Sequence, residues 1–165
     1  MKSVGGADLR ASSRNRTNMS DHDAALISNW NSHVSPEDEI WHLGDFSVKR
    51  AGFAKELLSQ LHGDKHLIVG NNDPAETTSA AGWASVQHYA ELTLDGRRLF
   101  LCHYPFRTWN QMGKASINLH GHSHGRLNPM PRQFDVGVDP CGLRPITLTD
   151  LQTKRSRGAP GKDAA

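Results

Sequence analysis

Two short apolar runs, each ended abruptly by glycine and a polar side chain, constrain this chain more than any other feature. Glu39-Ile40-Trp41-His42-Leu43 runs into Gly44-Asp45, and His66-Leu67-Ile68-Val69 runs into Gly70-Asn71-Asn72-Asp73. Runs this short and this apolar predict buried strands. Between them Phe53, Leu57 and Leu61 recur at helical spacing, which predicts a helix over 49–62 stopped by Gly63 just past its end. A strand, a helix and a strand make a right-handed crossover between parallel strands. Both polar loops then emerge at the same edge of the sheet, where open α/β sheets place their ligands.

The rest of the chain extends this plan. Residues 1–19 show no hydrophobic period and are read as an irregular segment. From Ser20, a capping box with Asp23 introduces Ala24, Ile27, Trp30 and Val34 at helical spacing, predicting a helix over 21–33 closed before Pro36. A loop rich in Thr, Ser, Ala and Gly follows the second strand. Alternating runs on either side of Asp95-Gly96 then form a hairpin, whose second strand ends in His103-Tyr104-Pro105. A short strand over 118–120 feeds Gly121-His122-Ser123-His124, and another is expected over 134–138, bracketed by Asp135 and Asp139. Residues 152–165 lack an apolar face and read as a disordered basic tail, leaving one domain over 20–151.

Composition excludes several function classes. No stretch approaches the length of a membrane span and the N-terminus has no apolar signal region. Two cysteines, Cys102 and Cys141, are too few for a disulfide framework, so a cytoplasmic protein is expected. The net charge of +2 invites a nucleic-acid reading. The excess sits at the ends, however: residues 19–151 hold 11 basic against 15 acidic side chains. With no basic patch through the body, nucleic acid enters only as a candidate substrate.

The strand ends collect Asp45, Asn71, His103, His122 and His124. His122 and His124 lie two apart, so in an extended segment both rings leave the same face. A carboxylate, a carboxamide and imidazoles make a mixed oxygen and nitrogen donor set suited to Mn²⁺, Fe or Zn²⁺, and without thiolates it is no structural zinc site. Other histidines have plainer uses. His42 reads as a packed residue behind the site, and His33, His62, His66 and His88 as surface or strand-edge residues.

Leu43-Gly44-Asp45, Gly70-Asn71-Asn72-Asp73, His103-Tyr104-Pro105 and Gly121-His122-Ser123-His124, in this order, resemble the calcineurin-like metallophosphoesterases, in particular their small single-domain bacterial and phage-type members. Asn29-Trp30-Asn31 and Asp135-Val136-Gly137-Val138-Asp139 support the resemblance, which covers roughly 20–150. It implies an α/β fold of αββα layers, with mixed sheets and helices outside. It further implies two divalent metals bridged by Asp45. One would be held by Asp45, Asn71, His103 and His122, and the other by Asp45, His124 and an N-terminal Asp-x-His motif. The implied reaction is attack of a metal-bound hydroxide on a phosphomonoester or phosphodiester, with Asp45 and Asn72 in the catalytic set and Asn72 and Arg107 on the substrate. The natural substrate and the oligomeric state stay open.

Two departures qualify the resemblance. Counted back from Ile27 without gaps, the Asp-x-His motif falls at or just before Met1-Lys2-Ser3-Val4-Gly5, with Lys2 in the place of the ligand histidine. The first strand and two ligands are therefore expected to be missing, leaving one metal and weakened activity. Asp21-His22-Asp23 is a poor substitute, because neighbours on a helix point in different directions. The second departure is Asn72, which stands where the family has a histidine. A carboxamide supplies no proton near neutral pH, and loss of general-acid help costs about 10²- to 10⁴-fold, least for good leaving groups. The alternative is a non-catalytic remnant that binds metal or phosphate without turnover.

Overall fold

The computed structural model describes residues 2–4, 16–47, 52–142 and 144–157. In chain order they form β1 (Lys2–Val4), α1 (Arg16–His33), β2 (Glu39–His42), α2 (Phe53–Gln60), β3 (Asp64–Ile68), α3 (Ala75–Thr78) and β4 (Trp83–Gln87). After these come β5 (Tyr89–Leu94), β6 (Arg97–Cys102), β7 (Ile117–His120), β8 (Gln133–Asp135), α4 (Val138–Cys141), β9 (Ile146–Thr147) and α5 (Leu148–Arg157).

Two sheets face one another. The first has the order β4-β3-β2-β1-β9 and the second β5-β6-β7-β8. In the first, β1 through β4 run parallel, with Val4 opposite Trp41 and Trp41 opposite His66, while β9 returns antiparallel beside β1. In the second, the Asp95-Gly96 turn joins β5 to β6 antiparallel, and β6, β7 and β8 run parallel. Trp41, Leu43 and Ile68 from one sheet meet Leu99, Leu101, Ile117 and Leu119 from the other in a buried core. Ile40 and Leu67 point the opposite way, because side chains alternate along a strand, and bury against Leu26 and Trp30 of α1, Val34 just past its end, and Leu57 and Leu58 of α2. This is the mixed-sheet α/β sandwich expected.

Trp30 and Asn31 explain why α1 sits where it does. The Trp30 indole donates to the His62 carbonyl at 3.0 Å, and Asn31 donates to Gln60 O at 2.8 Å while accepting from His62 N at 2.9 Å. The helix is pinned to the turn that launches β3, and hence to the strand that carries Asn71.

Several expectations are corrected. The first strand is present, at Lys2–Val4, and occupies an interior position between β2 and β9. Helix α1 begins at Arg16, so Ser20 lies inside it rather than capping it. Strand β4 and the short β9 went unread: β4 is an edge strand of alternately exposed residues, and β9 is two residues long. The run expected as a strand to residue 138 splits after Asp135, and Val138–Cys141 turns into a helix. Helix α5 continues to Arg157, so a tail from 152 is not seen at its start; residues 158–165 lie outside those described, as do 5–15 of the irregular segment.

Candidate metal centre

Parallel β2 and β3 deliver their C-terminal loops side by side, and two glycines let those loops touch. Gly44 has φ +90°, and a Cβ there would overlap His103 Nδ1 and stand 2.7 Å from Gly70 Cα. A Cβ on Gly70 would overlap the amide and carboxylate of Asp45. The two loops and the ring at the end of β6 are packed so closely that side chains at these positions are excluded. Three non-glycine residues take left-handed backbone here: Asp45 at φ 58°, His122 at 61° and His124 at 50°. Such conformations cost roughly 1–3 kcal/mol each and persist where surrounding structure enforces them.

Four donor groups converge. His103, 2% exposed, directs Nδ1 at the Leu43 carbonyl, 2.7 Å away, which places the proton on Nδ1 and the lone pair on Nε2. That Nε2 stands 2.9 Å from Asn71 Oδ1, 3.2 Å from His122 Nδ1 and 3.7 Å from Asp45 Oδ2. Ligand atoms of Asp45, His103 and His122 lie within 4.8 Å of one another. Carboxylate and carboxamide oxygens only accept, so a single shared imidazole proton leaves the other lone pairs opposed, whereas a divalent cation satisfies all four. The residues present therefore fit a divalent metal. His103 and Asp45 form the buried side, and Asn71 and His122 are more open, so the place where the lone pairs meet faces solvent.

Asn72 is turned toward Asp45. Its carboxamide donates to Oδ2 at 2.9 Å and its amide to Oδ1 at 2.8 Å, so both carboxylate oxygens carry a bond from one residue. His124 lines the same cleft as Asp45, His103 and His122 but stands outside their close group, with Nδ1 2.6 Å from Asp139 Oδ2. Asp135 shapes this turn from below, accepting from Gly125 N at 2.8 Å and Gly137 N at 2.9 Å. Tyr104 lays its ring against His122 and His103, at centroid distances of 4.6 and 5.0 Å. Arg107 is exposed on the loop after β6. Trp109 is a buried residue bonded to Ser116, not a group on the cleft. Behind the ligands, burial holds the His120 imidazole below its usual range, so it stays neutral there.

The place counted for the first motif falls on β1, within which Lys2 lies, and residues 5–15 beyond it lie outside those described. Asp21-His22-Asp23 falls inside α1. Sequence reading also passed over Asp73, whose carboxylate takes up three backbone amides of the site loops. The signal available for it was an acidic residue closing a Gly-Asn-Asn turn.

Comparison with known proteins agrees with this geometry. Residues 18–134 match the profile of the calcineurin-like phosphoesterase superfamily domain. The chain is 30% identical to the gene 66 protein of Mycobacterium phage D29, over 72% of this chain and 76% of that one. It is 28% identical to protein MJ1445 of Methanocaldococcus jannaschii, over 84% and 77% respectively. The crystal structure of protein AQ665 of unknown function from Aquifex aeolicus superposes with a TM-score of 0.68 at 20% identity, covering 93% of this chain and all of that one, a likeness of fold. A profile match over most of the domain, on a chain whose strand ends bring Asp45, Asn71, His103 and His122 together, places this protein in the calcineurin-like phosphoesterase superfamily.

Proposed function

We propose that this chain is a metal-dependent phosphoesterase that hydrolyses phosphate esters with good leaving groups, phosphodiesters among them. The observation that carries the reading is the convergence of Asp45 Oδ2, Asn71 Oδ1, His103 Nε2 and His122 Nδ1. These residues would hold one divalent ion, Mn²⁺, Fe or Zn²⁺, and His124 is offered to a second. A bound divalent ion acidifies water and offsets the negative charge that grows on phosphoryl oxygens.

The chain's own residues supply the rest. The Leu43 carbonyl fixes the His103 tautomer and keeps Nε2 aimed into the cleft. Asn72 steadies the Asp45 carboxylate and can donate a hydrogen bond, but it has no proton to give a leaving oxygen. Arg107, exposed on the loop after β6, is suited to a phosphate oxygen. With Asn72 in the place of an acid, the site depends on leaving groups that depart as anions, which favours aryl esters over alkyl monoesters. No helix among the described residues is long and apolar enough to cross a membrane; two free cysteines, Cys102 and Cys141, suit a reducing compartment, and the reading includes a cytoplasmic location.

The test is hydrolysis of bis(p-nitrophenyl) phosphate with added Mn²⁺ by the parent and by Asp45→Ala. Turnover by the parent that the variant lacks is the expected result. Asn72 favours a second reading, a metal- or phosphate-binding remnant without turnover, because its amide is committed to Asp45. Stoichiometric Mn²⁺ binding by a parent with no rate above background would establish that reading instead.

A further inference from the structure

We infer that Asp73 is the positioning residue of the metal centre, setting Asp45 through its backbone; this rests on the reading of Asp45 as a metal ligand. Asp73 Oδ2 accepts from Asp45 N at 2.8 Å and from Gly70 N at 2.8 Å, and Oδ1 accepts from Phe46 N at 2.7 Å. One carboxylate thereby ties the loop after β2 to the loop after β3 at the residues where the two touch.

The choice of atoms gives the contact its meaning. Asp45 sits at φ 58°, a left-handed conformation that aspartate visits more readily than most residues and that surrounding contacts hold in place. Its own amide is bonded to Asp73 while its carboxylate is bonded by Asn72, so the segment 70–73 grips Asp45 at both ends. With backbone and side chain both fixed, Oδ2 is left 3.7 Å from His103 Nε2. A carboxylate has about four lone-pair positions and can accept all three amides; a carboxamide offers one accepting oxygen and turns N–H toward a donor. Asp73→Asn therefore loses at least one of the three bonds and sets donor against donor at the ligand loop.

The experiment measures Mn²⁺ affinity from the free-ion electron paramagnetic resonance signal, for the parent, Asp73→Asn and Leu57→Ala. Leu57 belongs to the helix side of the core, so its truncation lowers stability without touching the site. Asp73→Asn is expected to bind Mn²⁺ about 10- to 100-fold more weakly, while Leu57→Ala keeps parental affinity. Asp73→Asn binding within about two-fold of the parent overturns the proposal and leaves the metal centre standing. A parent that binds no Mn²⁺ overturns both. Should Asp73→Asn fail to fold, hydrogen exchange in the metal-free parent decides. Common protection of the Asp45, Phe46 and Gly70 amides supports the proposal, and exchange of any of them at the rate of an unstructured chain overturns it.

Discussion

The cleft has two walls, and they are held in place by different means. On the wall formed by the loops after β2 and β3, Asp45 is bonded through its amide to Asp73 and through its carboxylate to Asn72, and Gly44 packs against Gly70 with no room for a Cβ. On the wall after β7, His122 is exposed, and the bond between His124 and Asp139 joins side chains that are 34% and 55% exposed. Buried amides and close backbone contact fix a ligand before any ion arrives. An exposed side-chain bond is weakened by water and contributes little to stability, so it tunes the site rather than building it. Changes on the first wall should cost metal binding and folding together, and changes on the second should cost binding alone.

The largest effect is expected for Gly70→Ala. Its Cβ would overlap Asp45 in a place where neither loop can yield, so the variant should lose about 2 kcal/mol or more of stability and at least about 100-fold in Mn²⁺ affinity. Thermal melting with and without Mn²⁺ measures both; an unchanged melting temperature would show that the first wall is soft. His122→Asn comes next. Asparagine tolerates the left-handed backbone that His122 adopts, so stability should move by less than about 0.5 kcal/mol while Mn²⁺ affinity falls about 10- to 100-fold by isothermal titration calorimetry.

The same contrast explains what the sequence revealed and what it withheld. The site strands β2, β3, β6 and β7 were legible because each is an apolar run broken by glycine or histidine at the cleft. Strand β1 was not, since Lys2-Ser3-Val4 is too short to show a period, and its place is set by pairing with β2 and β9. Strand β4, on a sheet edge, alternates with exposed residues and carries no apolar run. Val136 and Val138 alternate as a strand would, yet Asp135 accepts from Gly137 N and the chain turns into α4 before Pro140. The donors Asp45, Asn71, His103 and His122 were visible as residue types. Asp73 was not, because its work is done on backbone amides from another loop, which no side-chain pattern records.

Asn72 joins the loop after β3 to the Asp45 carboxylate, and Asn72→His tests whether its carboxamide serves Asp45 or only replaces an acid. The variant loses the 2.9 Å bond to Asp45 Oδ2 and gains a group that titrates near neutrality. General-acid help contributes most when the leaving group is poor. The expected outcome is a rise of about 10-fold in kcat/KM on an alkyl phosphate ester and little change on bis(p-nitrophenyl) phosphate. A fall on both esters would mean that steadying Asp45 matters more than protonating the leaving oxygen.

The smallest effect is expected for Asp139→Asn. His124 Nδ1 donates to Asp139 Oδ2 at 2.6 Å, which leaves Nε2 as the nitrogen that can serve as a ligand. An asparagine oxygen can still accept that bond, so the tautomer is preserved and only the negative charge is lost. Because Asp139 is more than half exposed, solvent already screens most of that charge. Activity on the activated diester should therefore fall by only about 2- to 10-fold, below the range usual for buried partners of ligand histidines, with melting unchanged. A loss as large as that of Gly70→Ala would break the contrast between the walls, because it would mean that the exposed turn after β7 is as firmly built into the centre as the glycine contact beneath Asp45.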